Sequence, residues 1–326
     1  MALDKKISVI VPCYNEAGNL LAGYGRIVKA LAAIGCRYEI IYVDNASTDG
    51  SDALYRQLSQ RDPNVRVVLM ARNGGSPQPS YLAGLQYCNG DAAVLLDGDL
   101  QDPPELMAQL AAKWQEDYDV VYGIRVRRQG TIVRQLAYKL FYRTFKHLAY
   151  ITVPLDAGDF SLMDRKVINA VAYLPERDLY VRGVRAYVGF RQTGIPYERQ
   201  LRTAGHSDTT WFKDLYWAVT LLINFSFKPL EWLSKIALTV VVGSAALIVV
   251  YLVAYLVAPT APRGIPTIVL ITLFMGGVQL LGIAILGEYL RRMFIEIKGR
   301  PRFVVREVLN DDRPAATAAA GRRFEP

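Results

Sequence analysis

The chain has almost none of the residues that build transition-metal or disulfide frameworks. Its 326 residues include three cysteines, Cys13, Cys36 and Cys88, and two histidines, His147 and His206. The cysteines have no paired spacing, which argues against a disulfide scaffold or a Cys/His zinc site and for reduced thiols. Other absences are local. Residues 236–258 and 264–287 carry no charge, and 120–155 hold seven Lys or Arg and no acid. The N-terminal stretch, "MALDKKISVIVPCYNE", has too short an apolar run to read as a signal peptide.

What is present is strongly patterned. Half the chain is apolar (52%), and net charge is +8. A basic balance suits nucleic acid or anionic lipid. The two uncharged runs favour lipid over nucleic acid. Each would make a helix of roughly 35 Å against a hydrocarbon core of roughly 30 Å. The expectation is two transmembrane helices; a pair of buried core helices is the alternative. Lys228 and Lys235 precede the first run, and Arg291, Arg292, Lys298, Arg300, Arg302 and Arg306 follow the second. By the positive-inside rule both termini and the large N-terminal part are expected to be cytoplasmic, in a multi-pass membrane protein.

Before the uncharged runs, strands alternate with helices. "KISVIVPCYN" (6–15), "YEIIYVDNAS" (38–47), "VRVVLMA" (65–71), "DAAVLLDGD" (91–99) and "DVVYGIRV" (119–126) read as strands, with helical stretches between them. This order predicts an α/β, mainly parallel, doubly wound sheet, whose ligands bind at the carboxyl ends of the strands. Asn15, Asp44, Asn45, Asp97 and Asp99 fall at such ends. The expected layout is a nucleotide-binding-type domain over 1–210, interfacial amphipathic helices over 211–235, two transmembrane helices over 236–290, and a basic segment with a disordered tail over 291–326. A basic amphipathic helix near 134–146 would suit a membrane surface, although an ordinary solvated face has the same pattern.

The stretch "VLLDGDLQDPPE" (94–105) poses the chemical question. Asp97, Asp99 and Asp102 crowd together directly after an apolar strand. Like charges at such spacing need a cation or a shared proton. Hard oxygen donors at Asp97, Asp99 and Gln101 suit Mg²⁺ or Mn²⁺ completed by phosphate oxygens. An acid pair sharing a proton is the other reading. Taken singly, each residue also has a plain account: Glu16 as a helix-start acid, Asp44 as a helix cap, the arginines as solvated charges and Asp156 as a turn residue.

"SVIVPCYNEAGNL", "YVDNASTDGS", "RNGG" and "LLDGDLQDPPE" together resemble the family 2 glycosyltransferases, with their A-type, Rossmann-like nucleotide-sugar fold. "GDFSLMDR", "YVRGVRAYVGFRQTGIPYERQLRTAGHSD" and "LLGEYLRRMFIEIKGRPRFVV" resemble the bacterial polyprenyl-phosphate glycosyltransferases, relatives of dolichyl-phosphate mannose synthase. The resemblance implies that Pro12, Tyr14 and Glu16 line the base and ribose. Asp44 and Asn45 stand where the family has Asp-Asp, and Asp97 and Gly98 face the donor. Asp99 and Gln101, with Asp97, would hold the metal on the diphosphate. Arg125 matches an arginine near the phosphates, and Asp159 matches a carboxylate near the acceptor, a candidate base. Arg134, Arg199, Arg202 and Ser207 would meet the acceptor phosphate. Asp208 replaces the lysine usual after that serine.

The implied activity is inverting transfer of a hexose from a nucleotide sugar, UDP-glucose first, to polyprenyl (undecaprenyl) phosphate at the cytosolic face of a bacterial inner membrane, in a homo-oligomer, a tetramer in close relatives. GDP-mannose or a UDP-aminosugar are alternative donors. A processive polysaccharide synthase or a non-enzymatic membrane scaffold are alternative functions. The Gln-x-x-Arg-Trp motif of processive synthases is absent, and a scaffold has no need of Asp97, Asp99 and Gln101.

Overall fold

The computed structural model describes residues 4–126, 148–149, 157–177, 180–200, 226–257 and 264–311. The calls on Arg134 and the basic helix near it, on Arg202, Ser207 and Asp208, and on the interfacial helices up to residue 225 lie outside the described residues, as does the tail after 311. The chain divides into two compact units. One comprises Met1–Tyr142, Ile151–Thr209 and Gly299–Pro326; the other comprises Arg143–Tyr150 and Thr210–Lys298.

The first unit is built on an eight-stranded sheet. Its strands are β1 (Lys6–Cys13), β2 (Arg37–Asp44), β3 (Val65–Met70), β4 (Ala92–Leu95), β5 (Val120–Arg125), β6 (Ala157–Asp164), β7 (Gln192–Tyr197) and β8 (Val305–Leu309). They lie in the order β7-β5-β6-β4-β1-β2-β3-β8. β1 pairs in parallel with both β2 and β4, and β2 with β3. β6 runs antiparallel to β4 and β5, and β8 antiparallel to β3. β5 and β7 are parallel too, so four of the seven pairings are parallel and the sheet is mixed, with β6 and β8 as the antiparallel strands that the expectation did not include. Apolar runs locate strands, but they carry no information on partner direction. The chain moves outward from β1 to β3 and then returns to β4. The gap between the ends of β1 and β4 is thus the switch point, where α/β sheets bind ligands.

Period-two alternation fills both faces of the sheet. Ile7, Val9 and Val11 of β1 pack with α1 (Ala17–Ile34), α2 (Ser51–Arg61) and α4 (Met107–Gln115) through Leu20, Leu31, Tyr55 and Leu110. Ile10, Ile41 and Val68 face the other way, onto α3 (Gln78–Tyr87), α5 (Arg165–Ala172) and α6 (Val181–Tyr187) through Leu82, Val167 and Val184. Helix starts are fixed by side chains from neighbouring segments. The Ala17 N–H at the head of α1 donates to Asp49 Oδ2 at 2.9 Å, and Asp164 caps α5 by accepting from the Lys166 N–H. α3 lies close on β1 because a side chain at Gly84 would reach within 2.2 Å of Ile10 Cγ2. β8 closes the sheet edge, and Arg56 and Arg306 bridge to Glu307 and Asp52.

The second unit contains α7 (Lys228–Val257) and α8 (Ile265–Lys298). They occupy the stretches read as transmembrane. That reading is corrected: among the described residues, no helix is long and apolar enough to cross a membrane. A span takes about 20 consecutive apolar residues. Here the helix ends carry charges, Lys228, Glu231 and Lys235 in α7 and Glu288, Arg291, Arg292, Glu296 and Lys298 in α8. Several side chains between them, 244–245 and 247–248 among them, lie outside the described residues. The multi-pass inner-membrane location with cytoplasmic termini rested on those spans and is corrected with them.

Candidate active site

Three loops leave the carboxyl ends of β1, β2 and β4, and each holds a non-glycine residue in the left-handed region: Asn15 (φ 54°), Ala46 (φ 58°) and Leu100 (φ 58°). Such backbone is costly for Ala and Leu, and it concentrates where function over-determines the chain. The first two loops are tied together. Asn15 N–H donates to Ser47 Oγ, and the Thr48 N–H donates to Asn15 Oδ1. Asp44 is buried and accepts the Ser47 N–H; burial raises its carboxyl above the usual range. Asn45 is buried as well. Its Oδ1 accepts the Gly74 N–H at 2.9 Å, and its Nδ2 donates to Asn73 Oδ1 and Ser76 O, so its amide organises the "RNGG" loop.

Gly98 brings the β4 loop against β1. A Cβ there would stand 2.8 Å from Cys13 Sγ and 3.0 Å from Pro12 O. A narrow cleft beside it is lined by Cys13, Glu16, Tyr42, Asp97 and Gly98. Tyr14, on the loop that follows β1, is exposed. Burial pushes the Cys13 thiol up to about 12, so it is a protonated packing group; all three cysteines are free.

The carboxylates of the stretch 94–105 converge. Asp97 Oδ1 accepts from the Tyr81 hydroxyl at 2.6 Å, and Asp99 Oδ1 accepts the Gln101 N–H at 3.1 Å. The remaining oxygen of each, Oδ2, faces one nitrogen: Arg199 Nη2 lies 3.4 Å from Asp97 and 3.6 Å from Asp99. Asp102 is fully buried. It accepts from Tyr197 Oη and stands 3.5 Å from Arg125 Nη2 and 3.3 Å from Arg199 Nε. Burial, then the charges of Asp102, Asp99 and Asp159, raise the Asp97 carboxyl to about 7, with the Tyr81 hydrogen bond opposing. Burial alone would lower the Arg125 guanidinium, but Asp102 and Tyr197 outweigh it and raise it overall.

β6 supplies the far wall. Because β6 is antiparallel to β4, with Ser161 opposite Leu95, its first residues lie beside the last residues of β4. Asp159 is buried there and accepts from Arg182 Nε at 3.0 Å, while Arg182 Nη1 reaches Ala157 O. Arg125 lies flat over Gly158, where a Cβ would meet its guanidinium at 3.2 Å. Arg185 is completely buried, donates to Gly158 O, and stacks over Tyr122.

Of the residues expected at the site, Asp97, Asp99, Asp159, Arg125 and Arg199 are brought together, with Gly98 at their base. Glu16 lines the neighbouring cleft, and its Oε2 accepts from Asn19 Nδ2; the Pro12 carbonyl lies against Gly98, and Tyr14 is exposed. The Gln101 side chain instead donates to Gln200 O. Tyr81, Tyr197, Arg182 and Arg185 were not anticipated. The last three fall within a motif already singled out, whereas Tyr81 carries no signal beyond its helix.

The donor set can be tested for a divalent ion. Two carboxylate oxygens from Asp97 and Asp99 converge on the position of a single cationic nitrogen, as hard donors converging on a metal would. Among the described residues no group of three or more His, Cys, Asp or Glu could hold a metal by itself. The residues fit an ion that takes its remaining ligands from a bound molecule.

The fold brings carboxylates and guanidinium groups together at the switch point of an α/β sheet. Residues 8–171 match the model of Glycosyl transferase family 2, and the chain belongs to that family. It is 35% identical over 304 residues to a glycosyltransferase of Synechocystis sp., covering 93% of this chain and 95% of that one. It is 33% identical over 304 residues to the bactoprenol glucosyl transferase of Shigella phage SfII, covering 93% and 98%. Among solved structures, a mannosyltransferase from Pyrobaculum calidifontis in complex with GDP-Man and Mn²⁺ aligns with a TM-score of 0.49 at 18% identity, covering 91% of this chain and 86% of that one.

Proposed function

We propose that the protein transfers one sugar, with inversion, from a nucleotide sugar to the phosphate of a polyprenyl phosphate. UDP-glucose is the favoured donor. The observation that carries this reading is the crevice in which Asp97 and Asp99 face Asp159, Arg125 and Arg182 across the switch point. Full-length similarity to bactoprenol glucosyl transferases supports the acceptor and the hexose.

A phosphate oxygen of the acceptor attacks the anomeric carbon from the face opposite the leaving group. The new carbon–oxygen bond forms as the bond to the donor's diphosphate breaks, and the nucleoside diphosphate departs with the electron pair. Asp97 and Asp99 would hold Mg²⁺ or Mn²⁺ on that diphosphate, which neutralises the developing charge. Arg125 is placed to add positive charge beside the phosphates. A phosphate monoester, with a second pKa near 6, is already ionised at pH 7 and needs no base. Asp159, paired with Arg182, therefore positions the reactants rather than taking a proton.

Asp159→Asn is expected to retain near-normal turnover at neutral pH, while Asp99→Ala loses nearly all of it. A strongly slowed Asp159→Asn whose residual rate no longer falls on the acid side would instead assign Asp159 as base. Nucleoside diphosphate release should depend on added undecaprenyl phosphate; equal release without lipid would make the protein a hydrolase.

A further inference from the structure

The carboxylates at the end of β4 already have a cation of their own. Asp97 and Asp99 each commit one oxygen inside the protein, to the Tyr81 hydroxyl and the Gln101 N–H, and each leaves one open. Both open oxygens point to Arg199 Nη2, at 3.4 and 3.6 Å. Asp102 differs, since Tyr197 and Arg125 hold it independently of Arg199.

Arg199 reaches this point on a short strap that follows β7. The Gln200 N–H donates to Gln101 O at 2.9 Å, and Gln101 Nε2 donates back to Gln200 O at 3.3 Å. Arg26 on α1 reaches Gln200 Oε1 at 3.4 Å. The strap is thus latched to the same loop that carries the carboxylates. The Arg199 side chain is about a quarter exposed (27%), so its withdrawal needs no core disruption.

We propose that Arg199 and the divalent ion are mutually exclusive occupants of one position. Arg199 is the counter-ion that the chain itself supplies to Asp97 and Asp99, and it leaves them when the metal–nucleotide enters. A guanidinium and a divalent ion cannot share the same two oxygens, because their like charges would stand at contact distance. The donor's diphosphate resolves the conflict by offering the displaced guanidinium a new anion beside the metal. Metal binding and nucleotide binding are then coupled through this side chain, and the coupling acts in both directions. This inference rests on the metal reading given under Proposed function.

The test is the free Mn²⁺ signal in electron paramagnetic resonance, titrated into the full chain with and without UDP. Without UDP, Arg199→Gln is expected to bind Mn²⁺ about tenfold tighter than the parent protein. Arg199→Lys, which keeps the charge, should stay near the parent. UDP should raise Mn²⁺ affinity strongly in the parent and much less in Arg199→Gln. Unchanged melting temperatures would show that the variants fold. Equal or weaker Mn²⁺ binding by Arg199→Gln without UDP overturns the exclusivity and leaves the metal reading standing. Failure of both proteins to bind Mn²⁺ even with UDP overturns both.

Discussion

Asp97→Asn should make the ligand-free protein less sensitive to rising pH. In the folded protein, burial and three neighbouring carboxylates hold the Asp97 carboxyl at about 7, against an ordinary value of 3.8. The folded state therefore keeps a proton that the unfolded chain has released between pH about 4 and about 7. Stability falls as pH rises through that window, and the full cost is present above it. A shift of about three pH units corresponds to about 4 kcal/mol as an upper bound. The side chain is about a quarter exposed (24%), and water screens part of this, so a cost of about 2 kcal/mol is expected. Asparagine removes the titrating charge, while its carbonyl oxygen can still accept from Tyr81. The assay is thermal unfolding of parent and variant without divalent ions at pH 5 and pH 8. The two should melt nearly together at pH 5, and the variant should melt several degrees higher at pH 8. Parallel profiles across the range would refute the crowding of charge from which the metal site is argued.

Two further perturbations probe the supports of the crevice. Tyr81→Phe removes a hydroxyl that stabilises the ionised form of Asp97 at 2.6 Å, so its stability cost should be larger at pH 8 than at pH 5; a pH-independent loss of the same size would contradict that role. Gly98→Ala places a methyl group 3.0 Å from the Pro12 carbonyl, and should destabilise by about 1–3 kcal/mol and weaken UDP binding in calorimetry; an unchanged melting temperature with full UDP affinity would show that the loop yields freely.

The part of this site that could be read in the sequence is the part carried by strand ends. β1, β2 and β4 are apolar runs that give way to polar loops at Tyr14, Asn45 and Asp97, and parallel neighbours necessarily bring such ends together. Asp97 and Asp99 were legible as a cation site because like charges directly after a buried strand need an explanation. Tyr81 and Tyr197 were not legible. They come from the middle of a helix and the end of an outer strand, and only the fold places their hydroxyls on Asp97 and Asp102. β6 escaped notice as a strand beside β4, since "GDFSLMDR" gives no sign of its direction. β8 was read as part of a basic tail, although Val305 and Val308 pack on the sheet face and Arg306 and Glu307 bridge outward. The uncharged runs mark two long helices correctly, yet the step from apolar run to membrane span is not sustained by the described residues.

The most direct test is to incubate the purified protein and a divalent ion with undecaprenyl phosphate and each of a panel of nucleotide sugars, then weigh the lipid. The account predicts a lipid phosphate heavier by one hexose, formed most readily from UDP-glucose and abolished by chelation or by Asp99→Ala. A lipid of unchanged mass with every donor, or one carrying a growing chain of sugars, would contradict it.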